Sequence, residues 1–74
     1  MKATVKLFAS LRTGRFDLSE IELVNGSSIT DLLELLQIEQ KEAAIIFING
    51  VHAEYTSNIK ECDQIAIFPP IGGG

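Results

Sequence analysis

One stretch of the 74-residue chain has helical periodicity: residues 28–37, Ser-Ile-Thr-Asp-Leu-Leu-Glu-Leu-Leu-Gln. Its isoleucine and most of its leucines recur at helical spacing, whereas its acidic side chains and Gln37 fall on the opposite side. Ser28 can cap the free amide groups at the start, and Asp31 completes a pair that resembles a capping box. The pattern predicts a helix that begins after Ser28 and ends near residues 37–39.

Two extended stretches precede this helix. Residues 3–9 alternate between two faces, with Val5, Leu7 and Ala9 on one of them. A turn over residues 12–15 leads to a second extended stretch at about residues 16–24, which is closed by Asn-Gly turn chemistry. The N-terminal third of the chain is therefore predicted to be a hairpin.

Three more stretches follow the helix. Residues 44–48 are apolar on both faces, which suits an interior strand, residues 51–55 are consistent with a brief return strand, and residues 64–68 alternate again. One helix covering one face of a mixed four- to five-stranded sheet is the economical two-layer α+β solution for this order. A hairpin, a crossover helix and a last strand that returns beside the first make up the ubiquitin-like β-grasp arrangement.

The strand phases predict one buried face and one open face of the sheet. The predicted inward set is Val5, Leu7, Ile29, Leu32, Leu33, Leu36, Ile46, Ile48, Ile59, Ile65 and Ile67. Phe8, Phe47 and Phe68 fall on the open face, where a contiguous apolar patch usually marks an interaction site. A shift of one residue in strand phase would instead turn these rings inward.

Composition excludes several classes of function. The formal net charge of −4, with no basic stripe, opposes nucleic-acid binding and suits docking onto a basic protein surface. One cysteine and one histidine cannot form a disulfide or a structural zinc site, so we expect no metal. The longest apolar run, residues 43–48, is too short to span a bilayer, and no signal peptide opens the chain. We therefore expect a cytoplasmic protein that contacts no membrane.

No catalytic constellation is evident in the sequence. His52 has no obvious partner, and Cys62 lies between Glu61 and Asp63, acidic neighbours that disfavour a reactive thiolate. The C-terminus has the more informative chemistry: an apolar strand followed by Pro69, Pro70, Ile71, Gly72, Gly73 and Gly74. The prolines should end the strand, and the glycines should make a thin arm reaching roughly 13–14 Å. We predict a β-grasp domain over residues 1–70 and a flexible glycine tail over residues 71–74, although a frayed chain end is the plain alternative.

Four segments together resemble one family. They are residues 6–12 (Lys-Leu-Phe-Ala-Ser-Leu-Arg), residues 29–33, residues 47–50 and the ending over residues 67–74. The chain resembles the MoaD/ThiS family of ubiquitin-like sulfur carriers, and the Phe-Pro-Pro before the glycines is similar to the MoaD branch, the small subunit of molybdopterin synthase. The chain departs from the family at Cys62, because members commonly have Asp-Gly-Asp in that turn. A different backbone conformation is one expected consequence.

The resemblance implies a function for the tail. An E1-like adenylyltransferase of the MoeB/ThiF type would use ATP to adenylate the carboxylate of Gly74, and a sulfur donor would convert it to a thiocarboxylate. The tail (Ile71 and Gly72 to Gly74) would then enter a large synthase subunit of the MoaE type and give its sulfur to a pterin precursor of the molybdenum or tungsten cofactor. The chain would bind no cofactor, and its chemistry would be catalysed by partners. Phe8, Phe47, Phe68, Pro69 and Pro70 would be the docking surface.

Other readings stay open from the sequence. A sulfur carrier for thiazole or amino-acid biosynthesis would share the same tail chemistry. A ubiquitin-like protein modifier, or a non-covalent interaction module, belongs to a different class of function.

Overall fold

The computed structural model describes residues 1–70. It contains five strands, one α-helix and one short 3-10 helix. In chain order these are β1 (Lys2–Leu7), the 3-10 helix (Ala9–Arg12), β2 (Leu18–Glu22), α1 (Ile29–Leu36), β3 (Ile45–Ile48), β4 (Val51–His52) and β5 (Gln64–Phe68).

The strands form one mixed sheet in the order β2-β1-β5-β3-β4. The first and last strands, β1 and β5, are parallel neighbours, and every other pair is antiparallel. This topology confirms the predicted β-grasp fold, with all five strands present. Because β5 is the central strand, hydrogen bonds on both sides hold it up to its last residue, where the Ala44 amide donates to the Phe68 carbonyl at 3.0 Å.

Helix α1 begins and ends with standard caps. The Ser28 hydroxyl accepts a hydrogen bond from the Asp31 amide at 3.3 Å, and the Asp31 carboxylate accepts one from the Ser28 amide at 2.9 Å, which completes the predicted capping box. The helix stops at Leu36 because Gln37 adopts a left-handed φ of 58°. The Ile38 amide then donates to the Leu33 carbonyl at 2.9 Å, as in a Schellman motif.

The core lies between α1 and the inner face of the sheet. Nine of the eleven predicted inward residues are buried, whereas Leu36 and Ile48 are half-buried and pack against the core. Five buried apolar residues were not in the predicted set: Ala3, Leu11, Leu23, Ile38 and Ala43.

Ala9 is exposed, although the alternation placed it on the same face as Val5 and Leu7, which are buried. Strand β1 ends at Leu7, and Ala9 has a left-handed φ of 51° at the start of the 3-10 helix, so the alternation stops before it. Leu11 takes the inward place in that turn and is 2% exposed. The turn predicted at residues 12–15 therefore begins earlier and contributes a core side chain.

Two side chains fix the loops to this framework. The Arg15 guanidinium donates hydrogen bonds to the carbonyls of Leu36 and Gln37 at 3.3 and 3.0 Å, at the end of α1. Asp63, which is buried, accepts hydrogen bonds from the Asn49 side chain at 2.9 Å and the Lys60 amide at 2.8 Å. These contacts hold the loop after the 3-10 helix against the end of α1, and the turn before β5 against the turn after β3.

Cys62 occupies the turn before β5 with a φ of 68°. This left-handed conformation is the one that glycine adopts most readily. The exposed cysteine is thus placed in a backbone conformation suited to the glycine that it replaces in the family pattern.

Candidate functional site

Strand alternation brings three phenylalanines together on the open face of the sheet. Phe68 is the last residue of β5, and Phe47 lies on the neighbouring strand β3. Phe8 directly follows β1, and its amide donates to the Ile67 carbonyl at 3.2 Å, which extends the β1–β5 pairing by one residue. The predicted strand phase is therefore correct at all three positions.

The three rings form one cluster. Phe8 stacks on Phe68 with centroids 4.0 Å apart and planes 11° apart, and Phe47 meets Phe68 edge-on at 5.9 Å and 88°. All three are half-buried. We call Phe8, Phe47 and Phe68 the aromatic cluster. Stacked and edge-on ring pairs are favourable geometries, so the cluster is an ordered apolar surface.

A shallow apolar depression of about 390 Å³ lies at the point where the tail begins. It is lined by Phe8, Ala9, Ile45, Phe47, Phe68, Pro69 and Pro70. The structure therefore brings five of the predicted site residues into one concave surface. The other four, Ile71 and Gly72 to Gly74, lie outside the described residues.

A second depression of about 330 Å³ adjoins the first, because Phe47 and Phe68 line both. Its other lining residues are Thr4, Lys6, Leu18, Gly50, Gln64, Ile65 and Ala66. The ammonium group of Lys6 lies 5.2 Å from the centroid of Phe8, within the range of a cation–π contact. His52 meets Phe47 edge-on at 5.9 Å, so it has an aromatic neighbour that the sequence did not suggest.

Ala9, Ile45 and Lys6 line these depressions but were not among the predicted site residues. For Lys6 a signal existed, because it shares a strand face with Phe8 at a spacing of two residues. A third depression, of about 440 Å³, lies at the loop between β2 and α1 and contains no residue of the aromatic cluster.

Neither a metal-binding cluster nor a membrane-spanning helix is found in residues 1–70. No group of three or more His, Cys, Asp or Glu side chains in this part of the chain is placed to hold a metal ion. No helix among the described residues is long and apolar enough to cross a membrane. The candidate site is thus an apolar surface formed by the aromatic cluster, Pro69 and Pro70, next to a glycine-rich segment on a β-grasp domain.

A model of the ThiS family matches residues 5–74, and the chain belongs to this family. No curated protein sequence matches the chain. The family assignment agrees with the fold and confirms the predicted relationship to ThiS/MoaD-type sulfur carriers.

Solved structures with the same fold include subunits of molybdopterin converting factors and a small archaeal modifier protein. A putative molybdopterin converting factor subunit 1 from Pyrococcus furiosus is 28% identical, with a TM-score of 0.76 over 96% of this chain and 99% of its own. SAMP1 from Haloferax volcanii is 21% identical, with a TM-score of 0.75 over the whole of both chains. A complex of subunits 1 and 2 of the molybdopterin-converting factor from Helicobacter pylori matches at 22% identity and a TM-score of 0.67, again over the whole of both chains.

Proposed function

We propose that this chain is a sulfur carrier of the MoaD branch and acts as the small subunit of a molybdopterin synthase. Its terminal glycine, Gly74, is adenylated and converted to a thiocarboxylate, which then donates sulfur in molybdopterin biosynthesis. The observation that carries the proposal is the apolar depression beside Pro69 and Pro70, at the root of the glycine segment.

Three observations support this branch of the family. The Phe-Pro-Pro sequence before the glycines ends the central strand, so the tail starts from the best-anchored strand of the sheet. The Pyrococcus furiosus relative is named a molybdopterin converting factor subunit 1, and the Helicobacter pylori relative is a complex of subunits 1 and 2 of such a factor. The aromatic cluster offers half-buried rings of the kind enriched at the centres of protein interfaces.

The chemistry of the tail follows from its carboxylate. A carboxylate is a poor electrophile, so an adenylyltransferase first joins it to AMP from ATP and releases pyrophosphate. A sulfur donor then displaces AMP from the acyl carbon and leaves a thiocarboxylate, which is a better sulfur nucleophile than the carboxylate. Glycine at positions 73 and 74 lets the arm enter the narrow channels of two successive partners.

The domain would position the tail for this chemistry. Docking through the aromatic cluster would hold the root of the tail at the entrance of the partner's active site, and the reaction at Gly74 would then be effectively intramolecular. Residues 1–70 would thus bind the partner, and the reactive atoms would lie on the tail.

Incubation with a cognate adenylyltransferase, ATP and a sulfur donor tests the proposal by intact mass. Replacement of one oxygen by sulfur is the expected gain. The molybdopterin assignment then needs a second result: the loaded chain and a large synthase subunit should restore cofactor synthesis in a strain that lacks its own small subunit. Restoration of a thiazole or amino-acid pathway instead would place the carrier in another branch.

A ubiquitin-like protein modifier is the second candidate. The fold match to SAMP1, a small archaeal modifier protein, favours it. This function predicts covalent adducts on lysines of other proteins, and deletion of Gly74 should abolish them. A non-covalent interaction module would instead keep its function when Gly73 and Gly74 are removed.

A further inference from the structure

The charge next to the aromatic cluster is positive, although the chain as a whole is acidic. The ammonium group of Lys6 lies 5.2 Å from the Phe8 centroid, and Phe8 in turn stacks on Phe68. The formal net charge of the chain is −4. Lys6 therefore places a positive charge directly beside the aromatic cluster of an acidic chain.

Lys6 differs from its neighbours in having no carboxylate partner. Within residues 1–70, Lys2 pairs with Glu20 at 4.0 Å and Arg12 pairs with Asp17 at 3.6 Å, whereas no ion pair involves Lys6. Its side chain is exposed, and its strand neighbours in register are Leu18 and Ala66, both uncharged. An exposed cation without an internal partner is available to a charge on another protein.

Lys6 lies where a partner docked on the aromatic cluster would cover it. Lys6 lines the second depression together with Phe47 and Phe68, which also line the depression at the root of the tail. A partner that covers the aromatic cluster would thus also cover Lys6. Covering an ammonium group without a partner charge would cost desolvation free energy, so a carboxylate at that place would be favoured.

We propose that Lys6 is a specificity-determining residue of the docking surface and that the adenylating partner places an Asp or Glu carboxylate against it. The partner's docking element would combine an apolar side chain, seated in the depression beside Pro69 and Pro70, with an acidic side chain that reaches Lys6. This inference rests on the proposed function, because it takes the adenylyltransferase as the partner. Carriers with an acidic or apolar residue at this position would be poor substrates for the same enzyme.

The test measures steady-state adenylation by the E1-like adenylyltransferase of the same organism, with the carrier as the varied substrate. For Lys6→Glu we expect a KM increased about tenfold at low salt with kcat unchanged, because a rim charge contributes to binding and encounter rather than to chemistry. Lys6→Gln should raise KM by about threefold, and Lys6→Arg should leave it within about twofold. The effect should shrink at high salt.

Lys41→Glu is the matched control. It changes the net charge by the same amount, but Lys41 lies outside the sheet and pairs with Glu39 at 3.8 Å. The KM of the Lys41→Glu variant should equal that of the wild type. Thermal melts of all variants separate a binding defect from a folding defect.

The outcomes distinguish this inference from the proposed function. Adenylation of the wild type with equal KM values for Lys6→Glu and Lys41→Glu would overturn the role of Lys6 and leave the carrier function standing. No adenylation of the wild type by an enzyme active on its own carrier would overturn the proposed function and this inference with it. A carboxylate-to-lysine change on the enzyme that restores the KM of Lys6→Glu would identify the partner residue and support the inference directly.

Discussion

At the scale of single residues, Cys62 adopts a backbone conformation that residues with a Cβ disfavour. Its φ of 68° is a conformation that costs residues with a Cβ roughly 1–2 kcal/mol per residue. The Cys62 amide still donates to the Lys2 carbonyl at 2.8 Å, so the turn is held by the strand beside it. The rest of the fold therefore imposes this conformation on the cysteine.

Cys62→Gly should stabilise the protein by about 1 kcal/mol, because glycine enters the left-handed region without the Cβ clash. Chemical denaturation, with the free energy of unfolding extrapolated to water, measures the effect. Cys62→Ala is the control, since it removes the thiol but keeps the Cβ, and it should leave stability nearly unchanged. Equal stabilities of the glycine and alanine variants would show that the turn is not strained.

Arg15 is the second residue whose role is visible only in the structure. Its guanidinium donates to the carbonyls of Leu11, Leu36 and Gln37 at 3.1, 3.3 and 3.0 Å. A positive charge at a helix C-terminus is favourable, and the hydrogen bonds also join the 3-10 turn to the end of α1.

Arg15→Ala should destabilise the protein by about 1–2 kcal/mol, because carbonyls at the helix end lose a charged donor. Arg12→Ala is the comparison, since the Arg12–Asp17 pair is exposed and should contribute less than about 1 kcal/mol. Differential scanning calorimetry measures the loss of Tm for each variant, and the loss should be larger for Arg15→Ala. A larger loss of Tm for Arg12→Ala would contradict this account.

At the scale of elements, the regular stretches were predictable and the irregular ones were not. The capping pair of α1 and the alternation of β5 follow local rules, so the sequence indicated both correctly. Leu11 and Ile38 were missed because each lies in a turn without periodicity. The burial of Ile38 is explained by the end of the helix, because a residue that follows a left-handed helix end commonly makes an apolar contact back to the helix.

The aromatic cluster is likewise a property of elements, because its rings come from β3, from β5 and from the residue that follows β1, three neighbouring strands of the sheet. The strand phase predicted the three phenylalanines, whereas Ile45, Ala9 and Lys6 became part of the surface only through the pairing of β1, β3 and β5. Register cannot be obtained from one strand alone, because it depends on which strands are neighbours.

Phe8→Ala should raise the KM of the carrier for its adenylyltransferase by about 30-fold, since loss of a central interface aromatic typically costs at least about 2 kcal/mol. Steady-state kinetics with the carrier as varied substrate measures the change. Leu35→Ala, which truncates an exposed leucine (56% exposed) on the helix rather than on the sheet, should have no effect on KM. Similar KM values for the two variants would exclude the aromatic cluster as the docking surface.

At the scale of the whole molecule, the fold brings together parts of residues 1–70 that are far apart in sequence. The sheet places its first and last strands side by side, so residues from both ends of the chain build the depression at the root of the tail. Family membership and fold are established by the match over residues 5–74 and by the topology. The branch of the family is a proposal, because proteins named as converting-factor subunits and as modifiers share this architecture.

The most direct test of the central claim is the intact mass of the chain after incubation with its adenylyltransferase, ATP and a sulfur donor. The carrier function predicts a gain equal to the replacement of one oxygen by sulfur, located by fragmentation at Gly74 and lost when Gly74 is deleted. An unchanged mass, with an enzyme that loads its own carrier under the same conditions, would contradict it.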